Sequence, residues 1–320
     1  HPEFRMLMEV APPGHHLPQA GLDAPLRIGG DIRRRLRECD SRDDETDERR
    51  EAGPLECWCL HGAVGMAADW RGFGKNLASA GMGSRAVDLW RFLDCCPMPL
   101  PDFGNALNAD ASGEHFRGSS RALLGYSMGG RLALQLAAAR PDHVAHLILE
   151  SASPGIADEA ERAQRREADE ALGALALARG IAAFVDRWEQ TPVLAAERRL
   201  ADAERAALRV CRLRCRPAGL AASLRHMGTG AQPWLGDRLH ALNVPTLLLA
   251  GGDDTKFCTI AAAMKEQLPR AVVEIAAGAG HNIHLGRPEW FAARVTAFLG
   301  AARTDGSDTL ATKAGKEARA

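Results

Sequence analysis

Three residues able to form a proton-relay triad occur in the order Ser127, Asp254 and His281. A serine hydroxyl is a weak base and a weak nucleophile until an imidazole accepts its proton, and a carboxylate must orient that imidazole. Ser127 lies in the pattern Gly125-Tyr126-Ser127-Met128-Gly129, between an apolar run and a helix-like run. The two glycines leave room for a strained turn that exposes the hydroxyl. The pattern predicts a nucleophile elbow, with Ser127 activated by His281 and Asp254.

Other residues compete for two of these roles. Asp253 adjoins Asp254, and Glu150 also ends a predicted strand, so each is an alternative triad acid. His284 follows His281 by three positions and could pair with it on a metal ion, but no third ligand has a suitable spacing. We therefore expect neither a metal nor a cofactor.

A second signal lies upstream, where the apolar run 55–60 leads into His61-Gly62-Ala63. In a strand–loop of this type the loop offers a backbone N–H to a developing oxyanion. Here that amide belongs to Ala63, and the amide of Met128 would complete the pair. His61 is better interpreted as a structural group of this loop than as a base.

Strand-like and helix-like runs alternate along most of the chain. The predicted strands are 55–60, 85–90, 122–124, 144–150, 245–251 and 272–275. Catalytic groups collect at the carboxyl ends of parallel strands, which is where Ser127, Asp254 and His281 are expected. The alternation stops over 156–230, where helical spacing predicts helices at 158–178, 180–189, 197–214 and 217–227. We predict an α/β-hydrolase fold, a mostly parallel sheet flanked by helices with an inserted helical cap at about 156–230.

Composition sets the outer limits of this domain. Residues 1–52 are rich in charge and turn residues and are predicted to be poorly structured. The α/β-hydrolase domain is predicted over 53–300, with an irregular connection at 94–120 and a disordered tail at 301–320.

Net charge and cysteine content restrict the classes of binding partner and the cellular compartment that the sequence predicts. A net charge of −1 gives no bulk attraction to nucleic acid, and no apolar run is long enough to predict a membrane span. The first thirty residues lack the apolar core of a signal peptide. The eight cysteines form no CxxC pair, which favours a reducing compartment. We expect a cytoplasmic protein, or a plastid one if the source is a photosynthetic eukaryote. Oligomeric state stays open, and a monomer is compatible with the sequence.

Arginine dominates the basic residues. Of 40 basic residues, five are Lys and 35 are Arg. Genome composition is one explanation. The other is planar, bidentate recognition of carboxylates, which a guanidinium performs better than an ammonium group.

Longer motifs make the prediction more specific. They are Leu60-His61-Gly62, Gly125 to Arg131, Glu150-Ser151-Ala152-Ser153-Pro154-Gly155, Leu224 to Pro233, Asp254-Thr255-Lys256-Phe257 and Ala279 to His284. Together, over roughly 55–300, they resemble the 2-succinyl-6-hydroxy-2,4-cyclohexadiene-1-carboxylate synthases of menaquinone and phylloquinone biosynthesis. The resemblance implies a lyase that eliminates pyruvate from 2-succinyl-5-enolpyruvyl-6-hydroxy-3-cyclohexene-1-carboxylate. It also implies that Ser127 acts as a base rather than as an acylated nucleophile.

The same resemblance implies a binding site for a small polycarboxylate. Its residues would be Tyr126, Arg131, Arg165, Trp188 and Arg212. Trp188 could instead belong to the core of the cap, and a shift in helix phase would exchange Arg165 for Arg162 or Arg166. Trp90-Arg91-Phe92-Leu93 departs from the family, where many relatives have Pro-Gly-His-Gly. The alternative function is a serine carboxylic-ester hydrolase of the same fold.

Overall fold

Six parallel strands form the centre of the part of the chain that the structure describes. The computed structural model describes residues 55–90 and 121–301 of the chain. Within these ranges the strands are β1 (Glu56–Leu60), β2 (Gly83–Val87), β3 (Arg121–Tyr126), β4 (His146–Glu150), β5 (Thr246–Gly251) and β6 (Ala271–Ala276). Their order in the sheet is β2-β1-β3-β4-β5-β6, and every neighbouring pair is parallel. The predicted parallel sheet is therefore confirmed.

The central strands are apolar along most of their length because both faces of the sheet are covered. Successive side chains of a strand point to opposite faces. Leu123 and Leu149 belong to the hydrophobic cluster on one face, and Leu124 and Ile148 belong to the cluster on the other. All four side chains are almost fully buried. Such two-sided burial explains why these strands lack the alternation of polar and apolar residues that marks a half-exposed sheet.

Helices flank the sheet and fill the segment between β4 and β5. They are α1 (Arg71–Ser79), α2 (Met128–Ala139), α3 (Glu159–Trp188), α4 (Asp202–Leu213), α5 (Pro217–Met227), α6 (Thr255–Gln267), α7 (Ile283–Gly286) and α8 (288–301). None of the helices in the described residues has the length and apolar character needed to cross a bilayer. The predictions for residues 1–52, 94–120 and 302–320 lie outside the described residues, whereas residue 301 closes α8.

The predicted cap segment differs from expectation in its helix boundaries. The helices predicted at 158–178 and 180–189 are both present within α3, and they meet at Gly180, whose φ of +80° and ψ of 174° are not helical. The helix predicted at 197–214 is two elements, the 3-10 helix Pro192–Arg199 and α4. Leu200 and Ala201 are extended between them, and the Glu204 side chain accepts a hydrogen bond from the Ala201 amide at 3.1 Å. That local contact fixes the start of α4.

Candidate active site

The elbow around Ser127 has the strained geometry that its sequence predicts. Ser127 links β3 to α2 with φ 53° and ψ −108°, a left-handed φ that is costly for any residue with a side chain. A methyl group at Gly125 would overlap the backbone of Gly129, and one at Gly129 would overlap the carbonyl of Leu60. Glycine is thus needed at both flanks by close backbone packing, and Ser127 itself is partly exposed and lines a cavity.

A continuous line of hydrogen bonds joins Ser127, His281 and Asp254. The Nε2 atom of His281 lies 3.1 Å from Ser127 Oγ, and its Nδ1 atom lies 2.7 Å from Asp254 Oδ2. Asp254 Oδ1 also accepts from the amide of Phe257 at 3.3 Å, and the Phe257 ring packs edge-on against the imidazole. When Nδ1–H donates its hydrogen bond to Asp254, Nε2 carries no proton and is the acceptor that faces the serine hydroxyl. This arrangement can remove the hydroxyl proton and store it on the imidazole.

The alternative acids are occupied elsewhere. Asp253 forms an exposed ion pair with Arg199 and has no hydrogen bond to His281. Glu150 accepts from His284 Nδ1 at 2.8 Å, so it is not the acid behind His281. His281 and His284 are thus each paired through Nδ1 to a different carboxylate.

The two predicted oxyanion amides line one cavity with Ser127. Ala63 follows β1, and Met128 is the first residue of α2, where an amide has no partner within the helix. His61 stands behind this loop and is buried. Its Nδ1 donates to the carbonyl of Gly62 at 2.8 Å, and its Nε2 accepts from the amide of Leu89 at 3.1 Å. With both ring nitrogens engaged by backbone, His61 has the structural position that its sequence context indicated.

The cavity above Ser127 holds the predicted binding residues. Its volume is about 540 Å³, which suits a small organic ligand. Every predicted site residue except Asp254 lines it, namely Ala63, Tyr126, Ser127, Met128, Arg131, Arg165, Trp188, Arg212 and His281. Asp254 lies behind the imidazole.

Arg131 is a buried cation held by uncharged acceptors. Its Nη1 donates to the carbonyl of Met227 at 2.7 Å and to Oε1 of Gln232 at 3.2 Å. Gln232 is itself buried, and its Nε2 donates to the carbonyl of Ser153 at 3.3 Å. Burial and the nearby Arg165 lower the pKa of Arg131 to about 10. The guanidinium is still charged at neutral pH, and an anionic ligand would relieve its unfavourable burial.

Arg165 is the arginine of its helix that faces the cavity. Its Nε donates to Asp169 Oδ1 at 2.9 Å. Arg162 and Arg166 both pair with the exposed carboxylate of Glu159 and are absent from the cavity lining. Burial raises the pKa of Asp169, although Arg165 acts in the opposite direction. The helix phase assumed for Arg165 therefore matches the structure.

Arg212 differs from the other two because carboxylates surround it. Its Nη2 donates to Glu197 at 2.6 Å and its Nη1 to Glu189 at 3.2 Å. Burial disfavours the charge of Arg212, but these carboxylates outweigh it and raise its pKa. Burial, with Glu197 next in importance, also raises the pKa of Tyr126, so its phenol is neutral and can donate a hydrogen bond.

Trp188 both packs in the core of the cap and lines the cavity, the two positions considered for it from the sequence. Its ring stacks on the buried Phe184 with centroids 5.6 Å apart, and it also lines the cavity. The indole Nε1 is buried and has no hydrogen-bond partner among the described residues. A buried donor without a partner is unusual and suits a site that binds a polar ligand.

Sequence reasoning missed two residues that shape this site, Gln232 and Glu197, and considered a third, Glu150, for a different role. Gln232 holds Arg131, Glu197 holds Arg212, and Glu150 holds the loop that follows His281. Gln232 and Glu150 stood within motifs that carried the resemblance. Glu197 had no distinguishing signal, since it is one acid among many charged residues of the cap.

Comparisons with known proteins agree with this geometry. The model of the alpha/beta hydrolase family matches residues 53–294. The 2-succinyl-6-hydroxy-2,4-cyclohexadiene-1-carboxylate synthase of Serratia proteamaculans is 32% identical over 251 residues, which are 77% of this chain and 93% of that protein. The chain belongs to this synthase family. A Bacillus subtilis member, whose synthase name is provisional, is 43% identical over 177 residues, 55% of this chain and 65% of that one.

Solved structures extend the comparison to three dimensions. The structure of MenH from S. aureus superposes with a TM-score of 0.74 at 29% identity, covering 80% of this chain and 97% of that one. An esterase from Thermogutta terrifontis superposes with a TM-score of 0.66 at 21% identity, covering 78% and 91%. At that identity the esterase supports the fold alone, whereas this synthase family is shown by sequence.

Proposed function

We propose that this chain is a carbon–oxygen lyase that eliminates pyruvate from 2-succinyl-5-enolpyruvyl-6-hydroxy-3-cyclohexene-1-carboxylate. The product is 2-succinyl-6-hydroxy-2,4-cyclohexadiene-1-carboxylate, as the names of its relatives state. One observation carries the proposal beyond family membership. The Ser127–His281–Asp254 line opens into a cavity walled by Arg131, Arg165 and Arg212, where a polycarboxylate can be held beside a base.

The base chemistry follows from the two ring structures. The substrate has one ring double bond and the product has two conjugated ones. The proton that leaves is therefore the one on the ring carbon that bears the succinyl group, next to a ketone. Ser127 Oγ would take this proton while its own passes to His281 Nε2, 3.1 Å away. Asp254 would stabilise the imidazolium that results.

Charge then develops on the succinyl carbonyl oxygen. The amides of Ala63 and Met128 would donate hydrogen bonds to it, and the positive end of α2 adds to the field there. As the enolate collapses, the ring double bond shifts and the carbon–oxygen bond to the enolpyruvyl group breaks. A proton returned from His281 converts the leaving enolpyruvate into pyruvate, which restores the neutral imidazole.

The three cavity arginines differ in how much positive charge they have available for the carboxylates of the substrate. Arg131 and Arg165 have one carboxylate, Asp169, between them, which leaves positive charge for the substrate. Arg212 is already paired with Glu197 and Glu189, so it would bind substrate only by sharing its donors. The unpartnered indole N–H of Trp188 and the neutral phenol of Tyr126 are further donors in the same cavity.

An ester hydrolase with the same triad is the alternative. A neutral ester gives no role to three cavity arginines, so the structure favours it less. We also propose a cytoplasmic location. The described cysteines are free thiols, which supports a reducing compartment such as the cytoplasm.

The test compares two substrates on one preparation. Pyruvate release from the enolpyruvyl substrate and p-nitrophenol release from p-nitrophenyl acetate are measured as kcat/KM. The proposed lyase gives the higher kcat/KM with the enolpyruvyl substrate. A higher value with the ester, or no pyruvate at all, would contradict the proposal and favour the hydrolase.

A further inference from the structure

Two consecutive residues at the end of β4 contact both Ser127 and the loop that carries His281. The carbonyl of Glu150 accepts from the amide of Ser127 at 2.9 Å. The hydroxyl of Ser151 donates to the carbonyl of His281 at 2.7 Å. Ser151 adopts a φ of 48°, the second non-glycine residue in the described part of the chain with a positive φ. A strained conformation that is retained beside a catalytic pair points to a positional requirement.

The carboxylate of Glu150 supplies a second set of contacts. Its Oε1 accepts from the amides of Ile283 and His284, at 2.6 and 3.0 Å, and its Oε2 accepts from His284 Nδ1 at 2.8 Å. Glu150 is completely buried and does not line the cavity. It nevertheless binds the two residues that begin α7, and only Asn282 separates them from His281.

His284 extends this contact towards the elbow. Its ring stacks on Trp70 with centroids 4.3 Å apart and meets the ring of Tyr126 edge-on at 5.0 Å. Tyr126 immediately precedes Ser127. The buried Glu150–His284 pair therefore packs against the elbow on one side and holds the His281 loop on the other.

We propose that Glu150 is a positioning residue, which sets the place of the His281 imidazole relative to Ser127 by hydrogen bonds to the loop and to His284. A misplacement of about 1 Å at a reacting group can cost about a hundredfold in rate. Without the carboxylate, three buried donors of Ile283 and His284 would lose their acceptor, so the loop would move to find others. This inference rests on the proposed function in one respect: the pyruvate-release assay presumes that the enzyme is the proposed lyase.

Two substitutions at Glu150 separate hydrogen bonding from charge. Glu150→Leu removes the acceptors. Glu150→Gln keeps an oxygen for the two amides, while its N–H₂ can donate to His284 Nδ1 in the other tautomer. Each variant is assayed for pyruvate release and for labelling of Ser127 by a fluorophosphonate, which requires the base and the oxyanion amides but not the natural substrate.

The positioning role predicts different results for the two variants. Glu150→Leu lowers both kcat and the labelling rate by about 10- to 100-fold and leaves KM within a few-fold, because Glu150 is outside the cavity. Glu150→Gln stays within about threefold of the wild type. Thr246→Val is the control, because Thr246 is equally buried on β5 and its hydroxyl bonds only Val244 among the contacts seen. It should leave both rates unchanged.

Several results would overturn the inference. Wild-type rates for Glu150→Leu would do so. Rates for Glu150→Gln as low as those for Glu150→Leu would also do so, because the loss of charge would then be the cause.

If Glu150→Leu does not fold, His284→Asn and His284→Phe replace it. The Asn amide retains a donor near the Nδ1 position and the Phe ring does not, so the Asn variant should be the faster, and equal rates would refute the role. Normal labelling of the wild type without pyruvate release would count against the proposed function alone.

Discussion

The guanidinium of Arg212 donates to the carboxylate of Glu197 at 2.6 Å inside the candidate binding site. Both side chains are largely buried, and Glu189 adds a second carboxylate at 3.2 Å. Arg212, which we propose binds an anionic substrate, thus already has anionic partners. Substrate would then compete with Glu197 for the same donors, and this competition is measurable.

Replacing Glu197 with Gln should strengthen substrate binding. The amide oxygen keeps Arg212 in place, while the competing negative charge is removed. We expect KM to fall by about three- to tenfold with kcat nearly unchanged, which corresponds to about 1 kcal/mol of electrostatic competition. Asp186→Asn is the matched control, since Asp186 pairs with the more exposed Arg209 and does not line the cavity. An unchanged or higher KM for Glu197→Gln would show that Glu197 orients Arg212 without competing for it.

Replacing Gln232 with Glu should have the opposite effect on Arg131. A carboxylate 3.2 Å from Nη1 would pair with the cation and offset the charge offered to substrate. We expect KM to rise by about 10- to 100-fold, the cost of a lost charge-assisted hydrogen bond. Gln232→Met removes the acceptor without adding charge and should raise KM less. If both variants have the same KM, Gln232 acts by packing alone.

Arg165 and Arg162 form a matched pair on one helix. Arg165 lines the cavity, whereas Arg162 pairs with Glu159 outside it. Arg165→Met should raise KM by about tenfold or more through loss of a charge-assisted contact, and Arg162→Met should leave it within about twofold. Steady-state pyruvate release measures both. The reverse order would mean that the substrate lies on the other face of α3.

Asp169 should make folding stability depend on pH. Burial raises its pKa in the folded protein, so the folded state binds more protons than the unfolded chain between the two pKa values. Wild-type stability contributed by this group therefore falls as pH rises through that interval. Asp169→Asn cannot titrate, so its free energy of unfolding relative to wild type should increase as the pH rises above the ordinary Asp pKa of about 4. Urea denaturation at several pH values measures this difference, and a decrease with rising pH would contradict it.

Much of the fold could be predicted because its signals are local. Buried parallel strands are short apolar runs, and Gly125 and Gly129 are required by close packing around Ser127. The chain order of Ser127, Asp254 and His281 suggested one shared edge of the sheet, and the distances of 3.1 and 2.7 Å place them there.

Contacts between distant segments could not be predicted in the same way. The partner of Arg212 is Glu197, on a 3-10 helix where the sequence indicated an α-helix. Helix periodicity predicts the face of the helix on which Arg212 lies, but it does not predict which of the many acidic residues pairs with it. Glu150 was considered as a triad acid because it ends a strand, whereas its carboxylate turns to the amides of Ile283 and His284. The sequence does not show that the amides of Ile283 and His284 lack a partner within the backbone and lie within reach of Glu150.

Pyruvate release by wild type and by Ser127→Ala tests the central claim most directly. The claim is that Ser127 Oγ, 3.1 Å from His281 Nε2, removes the ring proton. Wild type should release pyruvate from the enolpyruvyl substrate, and Ser127→Ala should be slower in kcat by about a hundredfold to ten-thousandfold with substrate still bound. A Ser127→Ala enzyme that retained the wild-type kcat would contradict the account.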